Sequence, residues 1–163
     1  MSHLKFTSLT PELYDYSLNI LHHESPALAA IQNENQAHPQ IHMQISPDQA
    51  QFLQFLIRSK HMRNILEIGT FLGYSSTAMA EALPVDGKLI TCDVDKNATS
   101  QAQVHWKNAQ LENKIELKLG PALDTMRSLI EKQVLFDLIF IDADKSNSIS
   151  YYELAKSLLA CDG

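Results

Sequence analysis

Cysteine, basic clusters and long apolar runs are all scarce in this sequence, and each shortage removes a class of protein. The two cysteines, Cys92 and Cys161, lie far apart and form no Cys-x-x-Cys pair, so reduced thiols and a cytoplasmic location are expected. No apolar run is long enough for a membrane span, and no basic-plus-apolar signal region opens the chain. Thirteen Lys and Arg against nineteen Asp and Glu leave a net charge of −6. That balance argues against nucleic acid as the main partner, although not against a small anionic substrate. What remains is ordinary for a soluble globular protein: 163 residues, 45% hydrophobic and 20% charged. This is enough chain for one domain with a real core. It is expected to span residues 1–163, as a helical leader (1–46) and an α/β core (47–163).

The core is organised around Asn64-Ile-Leu-Glu-Ile-Gly-Thr-Phe-Leu-Gly-Tyr-Ser75. Ile65 to Ile68 reads as a buried strand with Glu67 near its carboxyl end. Gly69 and Gly73 bracket a turn, and Ser75 to Leu83 reads as a helix. Further strands are expected at Lys88–Cys92, Ile115–Leu119 and Phe136–Ile141. Helices are expected near Asn97–Gln110, Leu123–Lys132 and Tyr151–Ala160. This alternation predicts a parallel sheet covered on both faces. The chain halts at Asp162-Gly163, where another strand is expected, so the sheet is expected to be cut short after its fourth strand.

The leader carries two helix starts, Thr10-Pro11 and Ser25-Pro26, with helices to about His22 and Gln36. His22, His23, His38 and His42 invite a metal site. Pro39 breaks the helical spacing of the last two, and no acidic residue keeps step, so all four read as surface histidines. Ser46-Pro47-Asp48-Gln49 matches a capping box. It opens a helix to about Lys60 whose apolar stripe is expected to be Phe52, Leu53, Leu56 and Ile57.

Acidic residues at strand ends carry the chemistry. Glu67 is near the end of the first strand, Asp93 ends the second, and Asp142 and Asp144 follow the fourth. In a parallel sheet these ends share one rim. Asp93 lies 24 residues after Gly69, close to the spacing at which a carboxylate meets two ribose hydroxyls. The turn is neither G-x-G-x-x-G nor a P-loop, so a dinucleotide fits poorly. Tyr152 and Lys156 have the Tyr-x-x-x-Lys spacing of short-chain dehydrogenases. Ser75 stands where that family needs its third glycine.

Glu67-Ile-Gly-Thr-Phe-Leu-Gly-Tyr-Ser75, Gly120-Pro-Ala-Leu123 and Phe136-Asp-Leu-Ile-Phe-Ile-Asp-Ala-Asp-Lys145, with Met43-Gln-Ile-Ser-Pro47 ahead of them, resemble the cation-dependent class I O-methyltransferases. These are the caffeoyl-CoA and catechol type, in their bacterial branch. The resemblance covers the chain from about Leu9 to Gly163. It implies a Rossmann-like, doubly wound sheet, S-adenosylmethionine as cofactor, a divalent cation (Mg²⁺ above others), a hydroxylated aromatic substrate and a homodimer. It assigns Met43, Ile45, Glu67, Gly69, Thr70, Ser75, Asp93, Ala122 and Asp144 to the cofactor. Asp142 matches the first metal ligand and Lys145 the general base. The family's remaining ligands, an Asp-Asn pair, would fall after Gly163. Ser148 stands where the family commonly has tyrosine. The resemblance leaves two other functions open, a cofactor-binding module without catalysis and, more remotely, a nicotinamide-dependent reductase.

Overall fold

The computed structural model describes residues 8–21, 24–161 and 163; His22, His23 and Asp162 lie outside them. Four strands, β1 (Asn64–Ile68), β2 (Lys88–Asp93), β3 (Ile115–Leu119) and β4 (Leu138–Ile141), form one parallel sheet in the order β3-β2-β1-β4. The central strand β1 is buried from Ile65 to Ile68. Its alternating side chains feed two cores, as the period of a strand requires. Ile65 packs with Leu89 and with helices α2 (Pro26–Asn35), α3 (Pro47–Ser59), α4 (Tyr74–Ala82) and α5 (Lys96–Asn108). Leu66 and Ile68 pack against α6 (Ala122–Glu131) and α7 (Ser148–Leu158) on the other face. A further helix, α1 (Pro11–Leu21), has contacts to α3. The doubly wound α/β arrangement expected from the sequence is therefore present. Chain order reverses at β1, with β2 on one side and β4 on the other, and this opens a crevice at the carboxyl ends of the strands.

Several local expectations are corrected. Ser25 caps α2, accepting a hydrogen bond from the Leu28 N–H at 3.1 Å, but the Ser46 side chain makes no cap bond. Its hydroxyl instead supports the Asp48 carboxylate, whose pKa is lowered first by that bond. The inward stripe of α3 is Ala50, Leu53, Gln54 and Ile57, while Phe52 is 59% exposed. A polar residue takes the inner position because the Gln54 amide donates to the Ala78 carbonyl at 3.0 Å. His38 is half-buried, its ring edge-on to Phe71 at 5.2 Å. β4 starts two residues later than expected; Phe136 instead forms a parallel bridge to Leu159. α7 begins earlier, at Ser148, after a 3₁₀ turn over Lys145–Asn147. Among the described residues no helix is long and apolar enough to cross a membrane.

Candidate functional site

The crevice is a cavity of about 960 Å³, within the range of small-molecule sites. Of the residues singled out from the sequence, Met43, Ile45, Gly69, Thr70, Ser75, Asp93, Ala122, Asp142, Asp144 and Lys145 all line it. Glu67 does not. It is fully buried beneath the wall, on the face of β1 that looks toward α4. Ser75, in the first turn of α4, donates to its Oε1 at 2.5 Å, and Thr91, its register partner on β2, donates to Oε2 at 2.6 Å. Burial, only partly offset by these two hydroxyls, pushes the Glu67 pKa up to about 8.

The turn after β1 is shaped by a close approach of two backbones. Gly69 has φ of +101°, and a Cβ there would lie 2.0 Å from the Asp142 carbonyl oxygen. Glycine lets the β1 and β4 ends meet at the switch point. Gly73, with φ of +84°, leaves room for Ala102 and the Trp106 ring of α5. Asp93 then fastens the turn: its Oδ2 accepts the Thr70 and Phe71 N–H groups at 2.9 and 2.8 Å, and its Oδ1 accepts the Asp95 N–H at 2.9 Å. Oδ2 is thereby filled by two N–H groups, whereas Oδ1, holding one, retains acceptor capacity. Ile45, Pro121, Ala122 and Leu123 add apolar surface to the lining.

The β4 end is more open. Asp144 sits in the loop, its Oδ2 accepting Ser146 Oγ, Asn147 N and Asn147 Nδ2, and its Oδ1 accepting the Tyr151 hydroxyl at 2.6 Å. These bonds, Ser146 first and Tyr151 second, hold its pKa down at about 2. Asp142 is 38% exposed, and Lys145 Nζ stands 3.7 Å from its Oδ1 on a side chain that is 83% exposed. Among the described residues no three His, Cys, Asp or Glu side chains are grouped to hold a metal ion.

Sequence reasoning passed over Thr91, Phe71 and Tyr151. Thr91 is found only through its register with Glu67, a non-local fact. Tyr151 is seven residues beyond Asp144 and meets it because the 3₁₀ turn folds the loop back. The Tyr152 and Lys156 pair is placed elsewhere. Both are exposed on the outer face of α7, with Lys156 Nζ 5.4 Å from the Tyr152 ring centre and paired to Glu153, and neither lines the cavity.

Residues 18–163 match the family model described as O-methyltransferase. The chain is 38% identical over 160 residues to catechol O-methyltransferase domain-containing protein 1 of Mus musculus, covering 95% of this chain and 61% of that protein. It is also 38% identical over 144 residues to a catechol O-methyltransferase of Niastella koreensis, covering 88% of this chain and 65% of the relative. It thus spans somewhat over three fifths of the length of these relatives. Among solved structures it resembles the O-methyltransferase TomG of Streptomyces achromogenes, in complex with SAM (TM-score 0.84, 31% identity, 91% of this chain and 67% of that one). It also resembles an O-methyltransferase of Bacillus cereus in complex with SAH (TM-score 0.83, 34% identity, 90% and 67%).

Proposed function

The chain belongs to the O-methyltransferase family, and from its switch-point cavity we propose that it binds S-adenosylmethionine and serves transfer of the methyl group to a hydroxyl of a catechol-like aromatic. The observation that carries this reading is the convergence on one cavity of a glycine turn, the Asp93 carboxylate and the apolar Ala122 wall. A cavity of this size, with a carboxylate suited to vicinal hydroxyls and an apolar wall suited to a purine, fits the cofactor.

Within that proposal Asp93 takes the ribose hydroxyls, Ala122 lies by the adenine, Gly69, Thr70 and Ser75 line the methionine and ribose part with Glu67 behind them, and Asp144 also faces the cofactor. Met43 and Ile45 close the cavity from the loop before α3. The cofactor supplies a methyl group already activated on a sulfonium. The chain's own task is then to orient it, exclude water and present a deprotonated oxygen in line. A phenol is deprotonated only near pH 10, so a base and charge stabilisation are required. Lys145, beside Asp142, is the proposed proton acceptor. A divalent cation, Mg²⁺ above others, belongs to the same proposal, with Asp142 as its ligand. The described residues do not by themselves complete such a site.

The fit of the cavity to the cofactor serves a second reading as well, a module that binds the cofactor without catalysis. Titration of S-adenosylmethionine into the protein, followed by a methyl-transfer assay on catechol with and without EDTA, separates the readings. Absence of cofactor binding sinks both; binding without transfer leaves the module; transfer indifferent to EDTA removes the cation. A homodimer and a cytoplasmic location complete the proposal. Exposed Leu13, Tyr16 and Ile20 on α1 and Phe52 and Phe55 on α3 support self-association, and sedimentation velocity checks it.

A further inference from the structure

The loop between α2 and α3 supplies one wall of the cavity: Gln40, His42, Met43, Gln44 and Ile45 all line it. The loop holds its own form through short-range backbone bonds. The His38 N–H donates to the Asn35 carbonyl at 2.8 Å, Ile41 to His38 at 3.0 Å, Met43 to Gln40 at 2.9 Å and Gln44 to Ile41 at 2.9 Å. Bonds of this range fix the shape of the loop, whereas its place over the cavity depends on contacts with other elements. This is the build of an Ω-loop, a short excursion whose ends lie close together.

Two side-chain contacts set that place. At the middle of the loop the His38 ring, whose Nδ1 accepts the Gln40 N–H at 3.2 Å, meets the Phe71 ring of the glycine turn. At the neck Asn35 Nδ2 donates to Gln44 Oε1 at 2.9 Å, across nine residues of sequence. Asn35 is the last residue of α2 and only 2% exposed, and an amide so buried costs stability unless it is bonded. The two feet of the loop are packed without it, α2 by Leu28 and Ile31 and the exit by Ile45, all in one apolar core. What the amide pair fixes in addition is Gln44, half-buried in the cavity wall between Met43 and Ile45.

We propose that Asn35 is a positioning residue for cofactor binding: it does not line the cavity itself, and it acts through Gln44, closing the neck of the 36–43 loop so that Met43, Gln44 and Ile45 stand as one wall. With the neck open the loop keeps its internal form but not its place, and part of the cofactor's binding free energy goes into drawing it back. The fraction of molecules with the loop in place then scales the apparent affinity. The usual net worth of one hydrogen bond corresponds to a shift of about three- to tenfold in that balance. This inference rests on the cofactor reading above and adds a residue outside the cavity that tunes it.

Titration calorimetry of S-adenosylmethionine into the 163-residue protein, with chemical denaturation of each variant alongside, tests it. Asn35→Leu and Gln44→Leu are each expected to bind the cofactor about three- to tenfold more weakly. The double Leu variant should bind no more weakly than the poorer of the two, because both changes remove one bond. The exchange of Asn35→Gln with Gln44→Asn keeps two amides and their summed reach, and it should restore most of the affinity, which a loss of core packing alone would not do. A folded Asn35→Leu of wild-type affinity, losses that add in the double variant, or a folded exchange variant that restores nothing would each overturn the inference and leave the cofactor reading intact. No binding by the wild type overturns both. If Asn35→Leu fails to fold, Asn35→Ala, which adds no bulk, takes its place in the same comparison.

Discussion

The cavity has two corners built on opposite principles. At the β1–β2 corner the polar groups are engaged within the fold: Glu67 holds two hydroxyls, and Asp93 holds three backbone N–H groups. At the β4 corner the highly exposed Lys145 stands 3.7 Å from the part-exposed Asp142, and an ion pair open to solvent contributes little to stability. One corner is pre-organised, so changes there act on the fold and the cofactor together. The other is a pair of presented side chains, whose value lies in what they meet.

The seam between the corners is the most sensitive point. In Gly69→Ala the new Cβ meets the Asp142 carbonyl at 2.0 Å in a backbone conformation that alanine rarely adopts. We expect a loss of at least about 3 kcal/mol in stability, or failure to fold, read by chemical denaturation. A protein of unchanged stability would mean that the two ends do not pack as tightly as this.

The buried corner also predicts a pH dependence. Folding raises the Glu67 pKa from 4.5 to about 8, so above 4.5 the folded protein keeps a proton that the unfolded chain has lost. Stability from this group is complete below 4.5, declines by of order 1 kcal/mol per pH unit as pH rises, and levels off above about 8. Buried His105, with its pKa lowered from 6.5 by desolvation, tilts stability the opposite way on the acid side. The readout is therefore the difference between wild type and Glu67→Gln in denaturant midpoints from pH 5 to 9. Parallel curves would show that Glu67 is ionised throughout.

Asp93→Ala is expected to be somewhat milder. It strips the acceptor from the Thr70, Phe71 and Asp95 N–H groups, which water can partly replace because Asp93 is only half-buried. About 2 kcal/mol of stability and a 10- to 100-fold loss of cofactor affinity are expected, by denaturation and by titration calorimetry. Affinity that survives intact would assign Asp93 to the turn alone.

The strands and the residues at their ends were legible in the sequence, for local reasons. Short apolar runs between helical periods marked the four strands, and acidic residues at their ends marked the rim that they share. What failed was non-local. Glu67 reads as a wall residue until its register with Thr91 places it under Ser75. Gln54 displaces Phe52 from the inner face of α3 because the Ala78 carbonyl, on another helix, satisfies its amide. Ser46 lost its capping role to a nearby acceptor, Asp48. Pattern reads propensity and phase, whereas each of these outcomes depends on a partner that only the fold supplies.

The smallest structural effect belongs to the open corner and tests the contrast most sharply. In Lys145→Ala the lost ammonium is 83% exposed and touches only Asp142 among the ion pairs described. Stability should change by less than about 0.5 kcal/mol, since nothing buried is left unpaired. Cofactor affinity should also hold, because Lys145 is not among the proposed cofactor contacts. Methyl transfer to catechol should nevertheless fall steeply if Lys145 takes the substrate proton, by about 100-fold or more for loss of a general base. A protein that binds the cofactor normally and transfers methyl groups at the wild-type rate would remove Lys145 from the chemistry. A protein that loses cofactor binding as well would show that the two corners are coupled, and that the β4 loop shapes the buried one.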